Sequence, residues 1–174
     1  MLELMTFDRV DEIVRDWRRE RPDVDVRALG TFARLFRAVS LAEGVLGERL
    51  RAFGLEPGWF DLLAALRRSG EPYRLHPTEL MRATLLSSGG MTKRLDRMVD
   101  AGLVERRPDP DDRRGTLVGL TRRGRSLIDR AVAAHAAVEE ELLRSLSAAG
   151  RRDLDRSLTA LLADLEARTD ARRA

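Results

Sequence analysis

Between Leu75 and Thr121 two short helical patterns run into two short strands around an acidic–basic loop, and few folds accept that order. The first helix opens at Pro77, with Glu79 two places on. Proline suits a first helical position because the N–H it lacks would be unpaired there anyway. Thr84 to Gly89 reads as a turn, and a second helix runs from about Ser88 to Ala101 and stops at Gly102, the residue expected for a left-handed cap. Met91, Leu95 and Met98 recur at helical spacing and face a core. The outer face carries Ser88, Thr92, Lys93, Asp96 and Arg97, a polar and largely basic set. A strand follows near Val104 to Arg107, then a loop from Asp109 to Arg114 and a second strand ending in Leu120 and Thr121. The expected fold class is therefore all-α, mainly helical with a small two-stranded β wing. Two helices, a projecting basic helix and an arginine-tipped hairpin make a winged helix-turn-helix, which is a device for reading DNA.

Asp112 and Arg114, with Leu120 and Thr121 after a five-residue gap, resemble the wing signature of MarR-type transcriptional regulators. The segment SSGGMTKRLDRMVDAGLVERRPDPDDRRG is similar to that family's recognition helix and wing. Several spaced positions match together, and the resemblance extends over almost the whole chain.

Charge supports a nucleic-acid partner through its placement more than its total. All but one of the 32 Lys and Arg residues are arginine, which explains a pI near 10.3 beside a net charge of only +3. Residues 74–125 are net basic and the remainder is slightly acidic, so the positive charge sits on the proposed DNA-binding lobe. Zero cysteines exclude a disulfide framework, a thiolate metal site and a thiol redox switch. No long apolar run and no signal peptide are evident, so the sequence predicts a cytoplasmic protein with no membrane partner.

The flanks read as helices. Thr6 can cap one through about Glu20, with Val10, Ile13, Val14 and Trp17 on one face. Asp25 can cap a long helix to Phe53 bearing Leu29, Phe32, Phe36, Val39, Leu46 and Leu50. Pro57 opens the helix WFDLLAALRRS, which Gly70 closes. Thr121 caps a helix to about Leu146, with Ile128, Val132, His135, Val138 and Leu142 on one side. Ser147 caps the last helix, where Leu154, Leu158, Leu161 and Leu165 form a near-heptad stripe.

The expected organisation is a single domain over 1–174. In it, 6–55 and 121–170 form a helical dimerisation region, and 56–120 form the winged DNA-binding lobe. Helices with continuous apolar stripes need a partner, and a symmetric homodimer is the simplest one. It would also supply the second recognition helix that a palindromic operator requires.

The expected DNA-binding residues follow from these placements. Lys93 and Arg97 can reach phosphates or guanine edges. Ser87, Ser88 and Thr92 lie at a helix N-terminus, where hydroxyls and free N–H groups favour a phosphate. Arg113 and Arg114 sit at the wing tip, where a guanidinium suits a narrow minor groove. Asp111 and Asp112 read as carboxylates that brace an arginine.

Arg94 differs, because it falls at the edge of the inward stripe one turn before Met98. A guanidinium there must find an anion, either Asp61 or a bound ligand. Trp17, Asp61, Arg94 and Arg106, with the added N-terminal helix ending WRRERPDVD, resemble the urate-responsive branch of the MarR family. That resemblance implies a ligand cleft lined by these four residues. A planar anion such as urate also matches an indole face and guanidinium forks.

His76 reads as a cap or a surface residue near DNA, and His135 as an interface residue. No zinc site, nucleophile–base–orienter set or phosphate-cradling loop is evident, so no catalytic residue, metal or cofactor is expected. The reading is a homodimeric repressor on a palindromic operator, released by a small anionic aromatic effector. A regulator answering another aromatic acid, or no ligand, is the alternative within that class. A dimeric helical adaptor whose winged lobe binds protein is the alternative outside it.

Overall fold

The computed structural model describes residues 8–84, 90–112 and 115–172. Seven helices and three strands follow one another as α1 (Arg9–Glu20), α2 (Arg27–Arg51), α3 (Trp59–Arg68), β1 (Arg74–Leu75), α4 (Pro77–Arg82), α5 (Met91–Asp100), β2 (Val104–Pro108), β3 (Thr116–Leu120), α6 (Arg122–Leu142) and α7 (Ala148–Ala171) among the described residues. The expected mainly helical class with a small winged sheet is borne out.

The sheet has one strand more than expected, in the antiparallel order β1–β3–β2. Arg74 pairs with Gly119 and Leu75 with Val118. A two-residue strand is too short to carry an alternating pattern, so it leaves no signal in the sequence. The hairpin itself runs in regular register from Val104 opposite Leu120 to Pro108 opposite Thr116.

Several helix ends move from their expected places. Thr6 lies outside the described residues, and Asp8 caps α1, accepting from Val10 N–H at 2.8 Å and Asp11 N–H at 3.0 Å. Asp11 returns the bond from Asp8 N–H at 3.0 Å, completing a capping box. Val26 stands at the N-cap of α2, while Asp25 still accepts from Arg27 N–H at 3.1 Å. The recognition helix α5 starts at Met91 rather than near Ser88, because Gly90 before it has φ +76° and cannot continue a right-handed helix. α6 ends at Leu142, short of Leu146. Thr121 and Ser147 cap α6 and α7 as expected, each accepting from an N–H three residues on.

The main core lies under the winged sheet. Leu62, Leu63 and Leu66 of α3, Leu80 of α4, Leu95 and Met98 of α5, Val104, Val118 and Ile128 bury together. Gly124 at the start of α6 lies against the Leu103 carbonyl so closely that any Cβ there would drive into it. A second, small core joins Val10 and Val14 of α1 to Val26. Beyond these the stripes lie open. Ile13, Trp17, Phe32, Phe36, Val39, Val132, Leu142, Leu154 and Leu165 are exposed, and α7 buries no residue along its whole length.

Candidate nucleic-acid interface and effector cleft

The recognition helix separates its faces cleanly. Met91, Leu95 and Met98 are buried, and Thr92, Lys93 and Arg97 are exposed. Gly102, at φ +65°, reverses the chain after α5. The wing then returns to the core through Thr121, whose hydroxyl donates to the Gly102 carbonyl at 2.8 Å. α5, the sheet and α6 therefore meet at one joint.

The basic residues on this face are held at different points. Arg97 Nη1 lies 2.6 Å from Glu56 Oε2, so its guanidinium is clamped to the segment before α3. Arg106 Nη1 lies 2.7 Å from Asp96 Oδ1, which ties β2 back to α5. Arg107 pairs with Glu105 at 2.6 Å along the same strand. Ser87, Ser88, Arg113 and Arg114 lie outside the described residues. A further carboxylate, Asp109, shapes the wing beside Asp111 and Asp112. Asp109 Oδ1 accepts from Asp111 N–H at 2.9 Å. Its Oδ2 lies 3.0 Å from His76 Nε2.

Asp61 and Trp17, two of the four residues expected to line an effector cleft, border different hollows. Asp61 opens into a cavity of about 680 Å³ between α3 and α6, together with Phe60, Arg67, Asp129, Val132 and His135. Trp17 is 47% exposed and borders a separate hollow on α1 with Ile13, Asp16 and Glu20. Arg106 is engaged by Asp96, and no ion pair joins Arg94 to Asp61 among the described residues. The inward placement of Arg94 does hold: its Nε and Nη1 are buried and have no hydrogen-bond partner.

Within one chain His135 keeps one ring nitrogen unpaired. Its ring stacks on Phe60 at 4.4 Å between centroids, and Nε2 lies 3.4 Å from Glu139, yet Nδ1 is buried without a partner. It faces the same cavity as Asp61. A helical histidine four residues before a glutamate was the available signal, and it does not reveal a cavity.

A buried-faced basic helix beside a three-stranded wing defines a winged helix-turn-helix protein. The model of the MarR family matches residues 53–115. The chain is 37% identical over 138 residues to the HTH-type transcriptional regulator PecS of Dickeya dadantii, covering 79% of this chain and 83% of that one. A mutant MarR from Escherichia coli complexed with operator DNA superposes with a TM-score of 0.68 at 27% identity, covering 80% of this chain and 99% of that one. AbsC, a MarR family regulator from Streptomyces coelicolor, shares the fold with a TM-score of 0.72 at 24% identity, over 83% of this chain and 97% of that one. This chain belongs to the MarR family of winged-helix transcriptional regulators, which are not enzymes.

Proposed function

We propose that the chain is a ligand-responsive repressor that binds a roughly palindromic operator as a homodimer and is released by a small anionic aromatic effector, urate. Residues 56–120 form its DNA-binding lobe, and 6–55 with 121–170 its dimerisation region. An operator target implies a cytoplasmic location.

The observation that carries the reading is the division of α5 into three sides. One packs on the core, one presents Thr92, Lys93 and Arg97 outward, and between them half-buried Arg94 turns two guanidinium nitrogens, Nε and Nη1, inward without a hydrogen-bond partner. Buried N–H groups without an acceptor are costly, and an anionic effector relieves that cost on the same helix that meets DNA. Ser87, Ser88, Arg113 and Arg114 complete the DNA-binding set by their positions in the sequence. The unburied stripes of α1, α2, α6 and α7 support the dimer, since such apolar area otherwise faces water.

The urate assignment requires Trp17 to close over the Asp61 cavity in the assembled protein, bringing Arg94 and Arg106 into reach. Arg106 would then exchange Asp96 for the effector, loosening β2 from α5. Recognition helices that must match half-sites about 34–36 Å apart tolerate little displacement. Coupling between effector and DNA is typically about 1–3 kcal/mol, so urate should weaken operator affinity by tens of fold.

A mobility shift on DNA from the chain's own promoter region, at several salt concentrations and with or without urate, tests both halves. Binding should fall steeply with salt, because phosphate neutralisation releases counterions. Binding that is absent or insensitive to salt overturns the repressor reading. Salt-dependent binding that ignores millimolar urate overturns the effector alone.

A further inference from the structure

We infer that His76 and Asp109 form a latch that sets the position of the wing tip relative to the helix-turn-helix, and that both are positioning residues for operator recognition. The inference rests on the DNA-binding reading above and adds a pair that neither the recognition-helix face nor the wing arginines include.

Backbone hydrogen bonds join the two sides of the wing tip. Asp109 N–H donates to the Gly115 carbonyl at 3.0 Å, and Gly115 N–H donates to the Asp112 carbonyl at 2.8 Å. A Cβ at Gly115 would come within 2.8 Å of the Asp109 Cβ, so the two sides of the loop close without room for a side chain. Within this turn Asp109 is the one buried polar or charged residue among those described. Its carboxylate divides its work. One oxygen receives Asp111 N–H and shapes the turn, and the other faces His76 Nε2 at 3.0 Å.

His76 stands at a junction. It directly follows β1, which pairs with β3, and directly precedes Pro77, the first residue of α4. Its backbone is fixed there, because its own N–H donates to Glu79 Oε2 at 2.9 Å. The imidazole therefore reaches from a rigid joint to the base of the tip. Together with the Arg106–Asp96 pair at mid-strand, the His76 contact holds the wing at a second height, where the tip begins.

A carboxylate this enclosed needs its donors, and removing one leaves it short of a partner. Loss of the His76 contact should therefore release the tip while the turn keeps its Asp111 bond. The turn at Asp109–Asp112 would then be held less firmly, and ordering it on DNA would oppose binding.

The test is hydroxyl-radical footprinting and affinity measurement on the promoter-region DNA, with wild type, His76→Ala, His76→Gln and Asp109→Asn, alongside thermal melting of each. Removal of the latch should lower affinity about ten-fold, the scale of one specific contact. In His76→Ala, protection should disappear at the flanks where the wing would lie and persist at the centre of each half-site. His76→Gln, which still presents a side-chain N–H, should recover the flanks. Asp109→Asn keeps an oxygen for Asp111 and should reproduce the His76→Ala footprint. A His76→Ala footprint and affinity equal to wild type overturn the latch and leave the DNA reading standing. So does a uniform loss of protection that follows a lowered melting temperature and is not rescued by glutamine. Absence of any wild-type footprint overturns the DNA reading and the latch with it.

Discussion

Arg106 on β2 reaches back to Asp96 on α5, with Nη1 2.7 Å from Oδ1. The pair spans the wing and the recognition helix, so whatever engages the guanidinium alters how the two are joined. Both side chains are partly exposed, at 40% and 48%, and ion pairs in such settings contribute at most about 1 kcal/mol. Arg106→Ala should therefore leave the melting temperature within a few degrees of wild type while blunting the response of operator binding to urate. Calorimetric melting and urate titration of the protein–DNA complex check the two halves. A urate response equal to wild type removes Arg106 from the effector cleft.

Lys93 and Arg97 should not behave alike. Lys93 is exposed on α5 and free to meet a phosphate, whereas Arg97 is held by Glu56 at 2.6 Å. Lys93→Ala should weaken binding across sequences and reduce the salt slope by about one. Glu56→Gln frees the Arg97 guanidinium and should change discrimination between operator variants more than overall affinity. Equal salt slopes for Lys93→Ala and wild type would place Lys93 off the DNA.

Leu158 and Leu161 remain only partly covered on α7, a helix that buries nothing within its own chain. Fully burying a leucine is worth about 1.5–3 kcal/mol, so a shared interface gains substantially from both. Changing both to Asp should yield monomers or insoluble chain. Sedimentation of the wild-type protein as a stable monomer would sink the dimer and the palindrome with it.

The docking of α1 should be acid-sensitive. Arg34 on α2 hydrogen-bonds Asp8 at 2.8 Å and Asp11 at 2.6 Å. The Arg34 guanidinium holds the Asp8 carboxyl below its ordinary 3.8, and the Asp8 N–H together with Arg34 does the same for Asp11. Because the folded values are depressed, these bonds stabilise the docked helix fully above about 3.8 and are lost as pH falls through the lowered values. Hydrogen exchange across Arg9–Glu20 should accelerate in that range before the core around Leu62 opens. Arg34→Ala should bring the same acceleration at neutral pH. Simultaneous exchange of both regions at every pH would contradict the scheme.

What depends on local order is legible in the order of residues alone. The spacing of Met91, Leu95 and Met98 assigned the buried face of the recognition helix, and Thr121 and Ser147 marked helix starts, because caps and periodicity are properties of neighbouring residues. The class of fold followed from those elements in order. Arg94 was also legible, since its place on the helix turn puts it at the edge of the core whatever surrounds it.

Which charges meet depends instead on the path of the folded chain. Glu56 with Arg97, Asp96 with Arg106 and His76 with Asp109 are brought together by chain reversals at Gly102 and at the β1–α4 junction. Nothing in its sequence spacing marks Asp109, which the fold buries against Gly115 and His76 at the base of the wing tip. The same holds for the apolar stripes. Periodicity grouped Val10, Ile13, Val14 and Trp17 on one face, but α2 covers only Val10 and Val14. A helix face is a local property, whereas what lies against it depends on the path of the whole chain.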